Sequence, residues 1–72
     1  MQKNTSRIKL GNRIKEYRKR HDLFRIDLAK ILGVSLSAII NWEYNKNLPS
    51  QQHAEAMAAH FGVEIKDLFY IP

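Results

Sequence analysis

A glycine that separates two short apolar patterns constrains the fold of this chain more than any other feature. Apolar residues recur at helical spacing on both sides of it: Leu28, Ala29 and Leu32 before, Ile39 and Trp42 after. Gly33 follows the first pattern at once and can adopt the positive φ that ends a helix. Ser35 comes two residues later, and its hydroxyl can cap a second helix. The sequence therefore predicts two short helices joined by a tight turn.

The composition limits the chain to one small domain without a membrane span or a cysteine-based site. Its 72 residues, of which 44% are hydrophobic and 26% charged, suffice for a single core, so we expect one domain over residues 1–72. The apolar runs are too short to cross a bilayer, and the basic N-terminal segment lacks the apolar stretch of a signal peptide. No cysteine is present, which excludes disulfides and thiolate zinc sites. A cytoplasmic location is expected.

Positive charge is concentrated at the N-terminal end of the chain. The net charge is +5, and residues 1–20 contain eight Lys or Arg residues with Glu16 as the single acid. The remainder holds four basic residues against six acidic ones. This distribution fits contact with an anionic partner, but it equally fits a solvated helix face, and the sequence leaves both open.

Five helices are predicted from apolar periodicity and from residues that cap or end helices. They are a first helix capped by Asn4, Thr5 or Ser6 and ending near Arg20, then helices at about 25–32, 36–44, 51–61 and 64–69. Leu10, Ile14 and Tyr17 are expected on the apolar face of the first helix. Asn45 is expected to end the third helix in the left-handed conformation. No segment alternates apolar and polar residues as a strand would, so an all-α fold is expected.

The second and third helices form a helix-turn-helix at about residues 25–44, and the second helix of this motif usually lies in the major groove of DNA. The chain also resembles the Cro and phage-repressor type of helix-turn-helix proteins over about Leu10 to Phe69. The segments that carry the resemblance are GNRIKEYRKRHDL, DLAKILGVS, AIINWEYNKNLPS and FGVEIKDLF. The resemblance implies a compact five-helix domain that regulates transcription.

An internal ion pair is also implied by the resemblance. The family pairs an arginine of the first helix with a glutamate that ends the third, and Arg18 and Glu43 occupy the matching positions. We expect this pair to fix the angle between the two helices. Glu43 is therefore interpreted as a structural residue and not a catalytic one.

The first functional hypothesis is a transcriptional regulator of a phage or mobile-element genetic switch that binds operator DNA through the third helix. The family's base-reading positions correspond here to Leu36, Ser37, Ile40 and Asn41. The side chains expected to contact double-stranded operator DNA are Arg25, Ser37, Asn41 and Lys46, with Arg13 as a further phosphate contact. Such a regulator can act as a homodimer.

The third helix and the corner before the second are unusually apolar for a DNA-reading surface. No Lys or Arg lies within residues 31–45. Phe24 stands where the family commonly has a serine cap, which leaves Asp22 as the candidate cap one turn earlier. Leu36 and Ile40 are open to three interpretations: isolated exposed aliphatics, contacts to thymine methyl groups, or part of a protein-docking patch.

The docking interpretation provides the alternative function. A patch of Phe24, Ile26, Leu36, Ile40 and Asn41 would bind a phage repressor and cover the face with which that repressor binds DNA. The chain would then be an antirepressor. It resembles small Cro-like modulators of repression in its size and in its apolar third helix.

No combination of residues indicates catalysis, a cofactor or a metal. His21, His53 and His60 lack the spacing of a helical metal pair, and the serines at helix starts are explained by capping. We therefore expect no enzymatic activity, no small-molecule substrate and no cofactor. Membrane contact is not expected either, because the core needs the apolar face of the basic first helix.

Overall fold

Five helices and a small two-stranded sheet make up the structure, a computed structural model that describes residues 10–71. In chain order they are β1 Gly11–Asn12, α1 Ile14–Arg20, α2 Arg25–Leu32, α3 Leu36–Glu43, α4 Gln51–Phe61, α5 Ile65–Leu68 and β2 Phe69–Tyr70. No helix within residues 10–71 has the length and apolar character needed to cross a membrane. The predicted five-helix architecture is confirmed.

The turn between α2 and α3 has the geometry that the glycine and serine predict. Gly33 is left-handed at φ 69° and ψ 35°. The backbone N–H of Val34 donates to the carbonyl of Ala29 at 3.0 Å, which closes the last turn of α2. At the start of α3, the Ser35 hydroxyl accepts a hydrogen bond from the backbone N–H of Ala38 at 3.1 Å. These bonds set the two helices of the helix-turn-helix at a fixed angle.

The connection from α3 to α4 is also built by local capping. Asn45 adopts φ 61°, the left-handed conformation that we predicted for the residue ending the third helix. The N–H of Lys46 donates to the Asn41 carbonyl at 2.8 Å, so the chain folds back against the end of α3. Ser50 then caps α4 by accepting from the N–H of His53 at 3.2 Å.

Every helix contributes to one apolar core. Its buried members are Ile14, Leu28, Ala29, Ile39, Trp42, Met57, Ala58, Phe61 and Leu68. Burying a large aliphatic or aromatic side chain contributes roughly 1.5–3 kcal/mol before conformational entropy is subtracted. The core therefore fixes which side of α3 faces inward.

The sheet and the late start of α1 were not predicted. Gly11 pairs with Tyr70 and Asn12 with Phe69 in an antiparallel ladder, so Phe69 begins β2 and does not belong to the fifth helix, which ends at Leu68. Leu10 precedes β1 and therefore lies outside α1, contrary to the expected Leu10–Ile14–Tyr17 face. The backbone of residues 11–12 bonds to the opposite end of the described chain, and this contact prevents those residues from joining the helix.

The expected cap of the first helix at Asn4, Thr5 or Ser6 lies outside the described residues. In the structure Arg13 is the N-cap residue and its side chain makes no cap bond; the preceding Asn12 instead accepts a hydrogen bond at Oδ1 from the N–H of Ile14 at 3.1 Å. The first helix is therefore only seven residues long.

Candidate nucleic-acid interface

The two sides of α3 differ sharply in exposure. Ile39 is fully buried and Trp42 is 6% exposed, so these side chains attach the helix to the core. On the other side, Leu36 is 41% exposed. Ser37 is exposed, while Ile40 and Asn41 are half-buried. The helix thus presents a mixed apolar and polar surface. We call these four positions, Leu36, Ser37, Ile40 and Asn41, the outer face of α3.

The polar groups of the outer face are available to a ligand. Within residues 10–71, the Ser37 hydroxyl and the Asn41 side-chain amide take part in no hydrogen bond, whereas the nearby Ser35 hydroxyl is used as the helix cap. Asn41 carries two donors and an acceptor, and the hydroxyl of Ser37 can donate or accept. The pair can therefore bond to the edges of bases or to another protein.

A buried carboxylate holds the other end of α3. The Glu43 side chain is 2% exposed, and its Oε2 lies 2.7 Å from the Nε of Arg18 in α1. Its Oε1 accepts from the Nε of Arg25 in α2 at 3.0 Å. Arg18 also donates from Nη1 to the carbonyl of Leu23 at 2.8 Å. One carboxylate thus connects three helices, where the resemblance implied a pair that joined two.

Arg25, which we predicted to contact DNA, is part of this network. The Glu43 carboxylate raises the pKa of Arg25 above its ordinary value, first through the hydrogen bond and then through charge attraction. The Arg25 side chain is still 32% exposed. Its guanidinium carbon lies 5.8 Å from the ring centroid of Tyr44, an aromatic side chain that is 62% exposed. Arg25 is therefore positioned at the surface beside the end of α3.

Two other predicted basic contacts lie in different places. Lys46 is exposed and comes three residues after the end of α3, and its backbone N–H is bonded to the Asn41 carbonyl of that helix. The guanidinium of Arg13 instead lies 4.2 Å from the ring centroid of Tyr70 and donates to the carbonyl of Asp67 at 3.3 Å. The structure therefore groups Lys46 with α3 and Arg13 with β2.

The corner before α2 exposes an aromatic ring. Phe24 is 75% exposed and occupies the N-cap position, where its side chain has no acceptor for the backbone N–H groups. The expected cap by Asp22 was wrong: Asp22 has φ 55° and belongs to the turn after α1. The carboxylate of Asp27, inside the first turn of α2, accepts from the Phe24 N–H at 2.8 Å instead. Ile26, also assigned to the predicted docking patch, is 44% exposed.

The role of Asn12 was not predicted from the sequence. Its Nδ2 donates to the carbonyl of Trp42 at 3.1 Å and to Oδ1 of Asn45 at 2.8 Å. The same side chain accepts a hydrogen bond from the N–H of Ile14, the first residue of α1, so it links the start of α1 to the end of α3. An asparagine two residues before an apolar helical pattern is a recognisable cap signal, but its contact with α3 has no local signature.

The histidines lie in aromatic and capping contacts. His53 lies 5.7 Å from the indole of Trp42 between ring centroids, and its Nδ1 is 3.1 Å from the Ser50 hydroxyl oxygen. His21 and His60 pack around the ring of Phe61. Within residues 10–71, no three His, Asp or Glu side chains are grouped closely enough to hold a metal ion.

Comparison with known proteins places this geometry in a family. The model of the helix-turn-helix family matches residues 14–68. An uncharacterised HTH-type transcriptional regulator of Methanocaldococcus jannaschii is 48% identical over 60 residues, which cover 83% of this chain and 91% of that protein. The crystal structure of a Bacteroides fragilis protein that is proposed to bind DNA superposes with a TM-score of 0.74 at 28% identity, over 83% of this chain and 97% of the other. With an outward-facing α3 fixed to a five-helix core, the chain belongs to the Cro/repressor-type helix-turn-helix family.

Proposed function

We propose that this chain is a DNA-binding regulator of transcription that inserts α3 into the major groove. The observation that carries the proposal is the outer face of α3, which remains accessible while Ile39, Trp42 and Glu43 hold the helix in place. A helix that reads base edges must present its side chains in one fixed orientation. The relatives support the same function, since one is named as a transcriptional regulator and the other is proposed to bind DNA.

Within this proposal the predicted DNA contacts divide into base-reading and phosphate-binding residues. Ser37 and Asn41 have polar groups on the outer face that take part in no hydrogen bond within residues 10–71, and they are assigned to bases. Arg25 and Lys46 both lie beside the C-terminal end of α3 and are assigned to phosphates, which provide affinity independent of sequence. Arg13, held over Tyr70, is the outlying member of the phosphate-binding set.

The test is selection of binding sites from a random-sequence duplex library, followed by titration of the selected duplex at several salt concentrations. The logarithm of the binding constant should fall with the logarithm of salt, with a slope of about −0.9 for each phosphate contact. Asn41→Ala should weaken binding of the selected duplex by about tenfold or more. Gln52→Ala, an exposed amide on α4, is the matched control and should bind as the unaltered chain does. Absence of binding to any duplex at low salt contradicts the proposal.

The same selection addresses the predicted homodimer. Selected sites that contain two half-sites separated by about one helical turn of DNA indicate two copies, whereas a single half-site indicates one. The setting in a phage or mobile-element switch stays a prediction from the resemblance, and the names of the two relatives do not mention one.

A second candidate function is supported by the exposed ring of Phe24. This side chain is 75% exposed at the corner of α2, where backbone N–H groups would otherwise meet a phosphate. Together with Ile26, Leu36 and Ile40 it offers apolar surface to a protein partner such as a phage repressor. In that case the chain would block the repressor as an antirepressor.

Binding to a purified phage repressor, measured by calorimetry, tests this second function. Leu36→Glu combined with Ile40→Glu should abolish the complex, because two charges would be buried against an apolar partner. Glu55→Gln on α4 is the control. Persistence of the complex in the double variant, or its absence with the unaltered chain, contradicts the antirepressor function.

A further inference from the structure

We propose that the outer face of α3 selects A·T base pairs, reading thymine through its C5-methyl group and adenine through its N6 and N7 atoms. This inference rests on the proposed DNA-binding function and concerns which bases are read. It follows from which side-chain groups the outer face carries and which groups it lacks.

The outer face lacks the groups that read guanine and cytosine best. Guanine is read chiefly by Arg or Lys bonded to O6 and N7, and α3 contains neither residue. Arg25, beside the end of α3, uses its Nε for Glu43 and lies at the start of α2. Cytosine is read by an acidic side chain, but the single acid of α3, Glu43, is buried and bonded to two arginines.

The apolar residues of the outer face match thymine. Leu36 and Ile40 are one helical turn apart, so their side chains lie side by side along the helix. The thymine methyl is the apolar group that a base pair presents in the major groove. Contact between two half-exposed aliphatic side chains and two methyl groups removes apolar surface from water on both partners.

The side-chain amide of Asn41, which is not hydrogen-bonded within the described part of the chain, matches adenine. A carboxamide can donate to N7 and accept from N6, which is the bidentate pairing preferred by asparagine in the major groove. Asn41 lies on the same α3 segment as Leu36 and Ile40, so an adenine contact and thymine contacts can be made by one helix. Ser37 bonds to either base and adds little selectivity.

The first experiment alters the DNA and leaves the protein unchanged. In the duplex selected from the random library, each thymine is replaced in turn by uracil, which removes only the methyl group. Binding should weaken by about fourfold at each contacted thymine, the equivalent of about 0.8 kcal/mol for one buried methylene-sized group. Replacing the contacted adenine by 7-deazaadenine, which lacks the N7 acceptor, should weaken binding by about tenfold.

The second experiment assigns each effect to a side chain. With Leu36→Ala, replacing one of the two contacted thymines by uracil should no longer weaken binding, while the same replacement at the other thymine should still do so. With Ile40→Ala the two thymines should exchange these roles. Asn41→Ala should abolish the sensitivity to 7-deazaadenine. Ile31→Ala is the matched control, because Ile31 is 44% exposed on α2, close to the 41% of Leu36, and it should retain every sensitivity.

The outcomes separate this inference from the function on which it rests. The A·T assignment is overturned if the selected sites are rich in G·C pairs. It is also overturned if the duplex binds tightly and replacing thymine by uracil or adenine by 7-deazaadenine does not change its affinity. In both cases the proposed DNA binding still stands. Failure to bind any duplex overturns the proposed function and this inference with it. Because the modified bases act on the unaltered chain, the result does not depend on whether the variants fold.

Discussion

The two ends of α3 differ in how they are held. At its C-terminal end, Trp42 is buried, Glu43 bonds to arginines of α1 and α2, and Asn12 donates to the backbone carbonyl of Trp42. At its N-terminal end, Leu36 and Ser37 are exposed, and the Ser35 cap is the local support. The C-terminal end is anchored to the domain, and the N-terminal end, which we call the presented end, is exposed at the surface.

This difference separates the residues that determine stability from those that determine recognition. Substitutions at the anchored end should unfold the domain or tilt α3. Substitutions at the presented end should leave the fold intact and alter only binding. The four predictions below test this separation, and each concerns the free energy of unfolding measured by urea denaturation and far-UV circular dichroism.

The largest effect is expected for Trp42→Ala at the anchored end. Truncating a buried tryptophan leaves a cavity and costs about 3–5 kcal/mol, which is most of the stability of a small domain. The variant should be largely unfolded without denaturant. Tyr44→Ala, at a position 62% exposed two residues later, is the control and should cost less than about 1 kcal/mol. Equal effects of the two substitutions would contradict the anchored role of Trp42.

Glu43→Ala should have the next largest effect, about 3 kcal/mol. The substitution leaves the buried guanidinium of Arg18 without its carboxylate partner. Arg25 also loses this partner, but because its side chain is about one-third exposed, water can solvate it, and the loss of stability stays near the lower end of the range for a broken buried ion pair. Glu55→Ala on the exposed side of α4 is the control. The double variant Arg18→Met with Glu43→Leu should be more stable than Glu43→Ala, because it removes both buried charges and leaves neither without a partner. A double variant less stable than Glu43→Ala would refute this account.

Ser35→Ala should cost about 1 kcal/mol, since the N–H of Ala38 loses its hydroxyl acceptor. Ser37→Ala provides a control two residues along, on the outer face, where the hydroxyl has no such bond within residues 10–71. It should change the free energy of unfolding by less than about 0.5 kcal/mol. The reverse order of the two effects would mean that Ser35 does not support the presented end.

The smallest effect is expected for Leu36→Glu, less than about 0.5 kcal/mol. The side chain is 41% exposed, and a negative charge in the first turn of a helix interacts favourably with the helix dipole. Ile39→Glu, on the opposite side of the same helix, buries a charge and should unfold the domain. If Leu36→Glu and Ile39→Glu lower the free energy of unfolding by the same amount, the exposed and buried sides of α3 do not differ as described.

The parts of the fold that local signals encode were predicted well. The observed bounds of α2, Arg25–Leu32, match the prediction, and α3 ends one residue before the predicted Tyr44. Gly33 and Ser35 mark these boundaries by backbone conformation and capping, which depend on near neighbours. The β1–β2 ladder could not be predicted, because strands of two residues have no periodicity and their partners are far apart in sequence.

The same distinction applies to the candidate site. The outer face of α3 follows from the sequence once Ile39 and Trp42 are placed inside, because helical geometry determines the opposite side. The bond between Arg25 and Glu43 could not be inferred, since it depends on the angle between α2 and α3. A residue predicted as a free DNA contact is therefore also a structural one.

The β1–β2 ladder brings the two ends of the described region together at one edge of the domain. Leu10 and Ile71 flank the paired residues, so a fused tag or a neighbouring domain attached at either side would leave the protein from the same place. A short peptide could join these positions directly. A circularly permuted chain opened between Asn47 and Leu48, both exposed, would then keep all five helices uninterrupted.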